Sequence, residues 1–186
     1  MILKYAVGIV ELSSIAKGFE VQDAVLKSAS VRKLLARTIC SGKYIVIFAG
    51  ELADVETGIA VAKETGGATV INTENITNVD GKVLAGLGGG TSLDIPESGG
   101  LAVIETFSAA SAIRSADVAV KAADVEVLRI HIAMAVGGKG FVLLTGDIDS
   151  LRSALSAALD YMKEEGLLVG SALITKPHPD VLKDLL

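Results

Sequence analysis

The sequence repeats itself, and the repeat limits the folds open to it more than any other feature. Displaced by 94 positions, Glu11 meets Glu105, Ser14 meets Ser108, Ala16 meets Ala110, Asp23 meets Asp117, Lys27 meets Lys121 and Val31 meets Val125. After a two-residue insertion in the second copy, Gly42-Lys43 meets Gly138-Lys139 and Gly50 meets Gly146. Two further inserted residues bring Ile76-Thr77 opposite Ile174-Thr175 and Val83-Leu84 opposite Val181-Leu182. Chance would not keep such a series collinear, so the chain is read as two tandem copies of one domain of about 90 residues. The boundaries expected are 1–87 for the first domain, 88–99 for a linker rich in glycine and turn residues, and 100–186 for the second domain.

One copy predicts the other. Val7 to Glu11 is a β-branched run and reads as a strand. Ser13 and Ser14 cap a helix whose apolar positions recur through Ala29. Lys33 to Cys40 and Lys43 to Ala49 read as two strands joined by the turn Ser41-Gly42. A helix from Ala53 to Glu64 is stopped by Gly66-Gly67, and Thr69 to Asn72 is a fourth strand. In the second copy, Leu151, Leu155, Ala158, Leu159 and Met162 form one helical stripe. A short helix, Asp180 to Leu186, closes the chain. The order βαββαβ is that of a ferredoxin-like α+β fold.

Composition narrows the function. Apolar residues make up 51% of the chain, aromatics only 4%, and tryptophan is absent, so the core is built from Ala, Val, Ile and Leu. The formal net charge is −5 with no run of Lys and Arg, which argues against nucleic acid and acidic membrane surfaces as partners. No apolar run approaches the ~20 residues of a membrane span, and a single cysteine excludes an internal disulfide. These features read as a soluble, cytoplasmic protein.

The residues that invite a chemical role are few. Gly86-Leu87-Gly88-Gly89-Gly90 lacks the strand-to-helix setting of a dinucleotide loop, and Gly138-Lys139 is followed by Gly140 where a phosphate loop needs Ser or Thr. Gly138-Lys139 reads as a hairpin turn. His131 lies in a strand pattern and reads as structural, and His178 sits in a turn between Pro177 and Pro179. Glu11 and Glu105 end their strands just before capped helices, where bonding to backbone donors is expected. No constellation of catalytic residues is present, so the chain is not read as an enzyme. Cys40 stands at a strand end, and its counterpart is Met134. One thiolate does not hold a zinc ion or an iron–sulfur cluster, although three would converge if three chains closed a ring with this turn at the axis.

The repeated pattern resembles the bacterial microcompartment (BMC) shell domain. The resemblance rests on Ala6-Val7-Gly8-Ile9-Val10-Glu11 with Leu101-Ala102-Val103-Ile104-Glu105-Thr106, and on Asp23 to Ala29 with Asp117 to Ala123. It also rests on the hairpins ending Gly50-Glu51 and Gly146-Asp147, and on Lys176-Pro177-His178-Pro179-Asp180-Val181. Glu11 to Gly18 and Thr38-Ile39-Cys40-Ser41-Gly42-Lys43 are similar to the tandem-domain, PduT-type branch found in propanediol-utilising compartments. Ser41 stands where that branch leads one to expect proline. Asn78 and Lys176 stand where single-domain shell proteins carry arginine.

The resemblance implies a homotrimeric, pseudohexameric tile of the microcompartment shell, assembling with other shell proteins. It implies a [4Fe–4S] cluster shared by three chains at the central pore, with Cys40 as each chain's ligand, and electron transfer across the shell to a lumenal redox enzyme. Ser41, Gly42, Val136, Gly137 and Gly138 would line the pore, and Lys27, Lys121, Lys176 and His178 would lie at the tile edge. The alternative is a cluster-free tile whose pore conducts small metabolites.

Overall fold

The computed structural model describes residues 5–87, 99–132, 134 and 136–183. Two compact units emerge. One holds the described residues up to Val79 together with the turn at 136–138, and the other runs from Asp80 to Ile132 and onward from Lys139.

In the first unit, β1 (Ala6–Leu12) leads into α1 (Ile15–Ser28), followed by β2 (Arg32–Ile39), β3 (Lys43–Gly50), α2 (Leu52–Gly66) and β4 (Val70–Ile76). Ser14 caps α1, its side chain accepting from the Lys17 N–H at 3.3 Å. The strands form an antiparallel sheet in the order β2-β3-β1-β4, the arrangement of a ferredoxin-like fold. Tyr44, Val46 and Phe48 point to one face of β3 and meet Val21 and Val25 of α1 and Val55, Ile59 and Ala62 of α2 in one core. Phe48 fits because two glycines make room for it. A Cβ on Gly8 would lie 2.5 Å from the ring, and one on Gly58 2.8 Å from it.

The second unit begins with α3 (Gly81–Leu87) and continues through β5 (Gly100–Thr106), α4 (Ala109–Ala122), β6 (Glu126–Ile132), β7 (Gly140–Gly146), α5 (Ile148–Glu164), β8 (Leu168–Thr175) and α6 (Pro179–Lys183). Its sheet order, β6-β7-β5-β8, copies the first. Even the irregularities match. Register shifts fall between Lys33 and Leu35 and between Val127 and Arg129, and again between Glu11 and Leu12 and between Glu105 and Thr106. Asn78 and Lys176, which follow β4 and β8, adopt the same left-handed conformation with φ 50° and 51°.

The strands and helices expected from the sequence are present in order, their ends moved by a few residues. β4 is longer than expected because it pairs with β1 as far as Ile76. Residues 80–87, read from the sequence as the end of the first domain, pack in the second unit, since Val83 is fully buried where α3 lies against β6 and α4. The glycine-rich linker from residue 88 to 98 and the last three residues of the expected terminal helix lie outside the described residues.

Candidate functional site

The turn between β2 and β3 is short because Ile39 pairs directly with Lys43, leaving only Cys40, Ser41 and Gly42 to reverse the chain. Ser41 and Gly42 accomplish this with φ 66° and 70°. Glycine adopts that conformation at no steric cost, whereas serine meets some strain. A Cβ on Gly42 would meet nothing within 4 Å, so the tip projects into open space, and Cys40 beside it is half-buried. The matching turn of the second copy uses Gly137 and Gly138, with φ 64° and 85°.

The first unit brings these two turns together. A Cβ on Gly138 would lie 3.3 Å from Lys43 Nζ and 3.5 Å from Ser41 Oγ. Gly138 of the second turn therefore lies beside Ser41 and Lys43 of the first, next along the chain to Cys40 and Gly42. Beneath each turn sits an ion pair that sequence reasoning missed. Lys43 Nζ donates to Glu11 Oε1 at 2.9 Å, and Lys139 Nζ donates to Glu105 Oε1 at 2.5 Å. The Glu11 side chain is fully buried, so its carboxylate depends on a charged partner. The signal was available in the repeated Gly-Lys at 42–43 and 138–139 and the repeated Glu at 11 and 105. The pairs make Glu11 and Glu105 anchors for the base of each turn.

Among the described residues, no group of three or more His, Cys, Asp or Glu stands close enough to hold a metal ion. One chain offers one thiol, that of Cys40.

Residues 6–79 and 100–177 each match the BMC domain family. The chain belongs to the bacterial microcompartment shell family. It is 36% identical over 98% of its length to the bacterial microcompartment shell protein PduT of Citrobacter freundii, and covers 98% of that protein. Its fold superposes with a TM-score of 0.86 on a microcompartment protein from Desulfitobacterium hafniense, at 40% identity over 97% of this chain and 98% of that one. A fused, permuted hexameric shell protein of the RMM microcompartment gives a TM-score of 0.67 at 26% identity, covering 86% of this chain and 82% of that one. The chain is therefore a structural shell protein built of two tandem BMC domains, and shell proteins of this family assemble into oligomers.

The remaining candidates of the BMC domains stand on other elements. Lys27 near the end of α1 pairs with Asp23, and Lys121 at the end of α4 pairs with Asp117, each at 2.6 Å. Lys176 is exposed after β8. His178 is exposed too, and its Nδ1 accepts from the Asp180 N–H at 3.2 Å, capping α6. His131 stacks on Phe141 with ring centroids 4.7 Å apart, a packing role within β6 and β7. Burial pushes the Tyr44 phenol above its ordinary pKa. Its hydroxyl donates to Gln22 Oε1 at 2.8 Å. The Lys82 ammonium is also pushed up, first by its hydrogen bond to Glu126 and further by Asp124.

Proposed function

We propose that three chains close a pseudohexameric ring around the paired turns, and that Cys40 of each chain is a ligand of one [4Fe–4S] cluster on the threefold axis. The observation that carries this reading is the position of the chain's one cysteine. It stands half-buried next to Ser41 and Gly42, with Gly138 of the second turn lying beside Ser41. Small residues let backbones approach an axis closely. A cluster needs three or four thiolates, so one cysteine per chain fits it only when copies meet. Bound there, the group supplies one-electron transfer, and a redox enzyme on the lumenal side and neighbouring shell proteins are the partners this implies. The ion pairs Lys43–Glu11 and Lys139–Glu105 hold the turns in place below it.

Iron and acid-labile sulfide measured on anaerobically purified protein test the reading. One cluster per three chains is expected, with Cys40→Ser losing iron and colour together while keeping its oligomeric mass. Anaerobic reconstitution that yields no stoichiometric iron would leave a cluster-free tile passing small metabolites.

A further inference from the structure

One helix breaks the symmetry of the two repeats. α3 follows β4 of the first repeat but packs on β6 and α4 of the second unit. Three contacts seat it. The Asp80 backbone N–H donates to Asp117 Oδ1 at 3.1 Å. Lys82 Nζ pairs with Glu126 at 2.8 Å and Asp124 at 3.3 Å. Val83 is fully buried.

α6 is the same element in the second repeat, since Val83 aligns with Val181, Lys82 with Asp180 and Asp80 with His178. Its first turn is built alike. Asp80 Oδ1 accepts from the Lys82 N–H at 2.8 Å, as His178 Nδ1 accepts from the Asp180 N–H at 3.2 Å. The Asp80 carbonyl accepts from the Val83 N–H at 3.1 Å, as the His178 carbonyl accepts from the Val181 N–H at 3.0 Å. Yet Val181 is 39% exposed where Val83 is buried.

The first unit carries the matching receptor, uncovered. Asp117 has a side chain 1% exposed, whereas its counterpart Asp23 is 63% exposed. Phe19 and Leu26 share the helix face of Asp23 and are 59% and 40% exposed, whereas the counterpart of Phe19, Ile113, is buried. The charges are exchanged as well. Lys82 on α3 meets Glu126 at the start of β6, and the equivalent residues are Asp180 on α6 and Arg32 at the start of β2. Arg32 and Glu126 hold the same register, opposite Ala49 and Thr145. A reversed charge on one side is matched by a reversed charge on the other.

We infer that α6 of a second copy of this chain docks between α1 and β2 of the first unit, as α3 docks between α4 and β6 of the second. Asp180 pairs with Arg32, the His178 backbone N–H meets Asp23, and Val181 is covered. The contact is head-to-tail, and such a contact makes a closed ring when its rotation closes. It rests on the trimeric reading above and identifies what joins one chain to the next. It also gives His178 a place at the joint within a tile.

Arg32→Glu, Asp180→Arg and the double variant test it, with Val181→Asp as a variant independent of the charge pair. All three positions are exposed in the chain, so circular dichroism should show each variant folded. Sedimentation equilibrium gives the wild-type mass, and subunit exchange between isotopically labelled and unlabelled trimers is followed by native mass spectrometry. Each single charge reversal and Val181→Asp should speed exchange about tenfold or more, and the double reversal should restore the wild-type rate. A monomeric wild type overturns the trimeric reading and this inference together. A trimeric wild type whose exchange is indifferent to the single reversals, or not restored by the double one, overturns this contact alone.

Discussion

Helices α1 and α4 occupy the same place in the two repeats, begin with the same serine cap and end with the same lysine–aspartate pair, yet they are buried differently. α1 buries Gly18, Val21 and Val25, one narrow stripe facing its own sheet. α4 buries that stripe and a second flank, including Ala109, Ile113, Ala116 and Asp117. Their sequences record the difference, for Ile15 and Phe19 on α1 stand where α4 carries Ala109 and Ile113. A repeat can thus keep its fold while its surfaces are assigned to different neighbours.

The cores differ by a compensated exchange. In the first repeat Phe48 lies against Gly8 and Gly58. In the second, Leu144 stands in its place with Ala102 and Ala154 in place of the glycines, all fully buried. Volume moved from one side chain to two others, which is how a close-packed core tolerates change. Urea unfolding can break this comparison. Phe48→Ala should cost about 3–5 kcal/mol. Gly8→Ala should cost about 1–3 kcal/mol by forcing the ring aside, and adding Phe48→Leu should recover part of that loss, since the second repeat uses that combination. If Phe48→Leu makes Gly8→Ala worse, the two cores are not built on the same exchange.

The helix caps offer a smaller contrast. Ser108 is buried and its hydroxyl oxygen accepts from the Ser111 N–H at 3.3 Å, whereas Ser14 is only half-buried. Each Ser→Ala change should cost about 1 kcal/mol, with Ser108 the more expensive because water does not replace the lost acceptor as readily there. Equal losses in thermal unfolding would mean that burial does not separate the two caps.

The smallest effect concerns Lys82, which ties α3 to the second unit. Its folded-state pKa is raised, so its contribution is fully present below the ordinary lysine pKa and is lost as pH rises through the higher folded value. Lys82→Met should therefore lower stability by under about 1 kcal/mol at neutral pH, and the gap from wild type should close in strongly alkaline solution. Denaturant titrations at a series of pH values check the sign, and a gap that widens with pH would contradict it.

Much of this could be read from local chemistry. Ser14 and Ser108 mark helix starts through their hydroxyls, β-branched runs mark strands, and the collinear repeat makes each half a check on the other. The turn at Ser41-Gly42 was legible because glycine reverses a chain without steric cost, whereas the left-handed conformation of Ser41 was not. The partners of Glu11 and Glu105 were not, because an ion pair between residues 32 or 34 positions apart depends on sheet register rather than spacing along the chain. That the turns around Gly42 and Gly138 converge was implied only by the family resemblance and not by local chemistry, since they are almost a hundred residues apart, and the contact of Gly138 with Ser41 and Lys43 is a property of the folded chain. By itself the sequence determined two copies of one α+β domain, their element order and a single thiol at a turn, because propensity, capping and periodicity act over a few residues. Only the tertiary structure decided that residues 80–87 belong with the second unit, because burial of Val83 and pairing of Lys82 with Glu126 are properties of surfaces that the folded chain alone brings together.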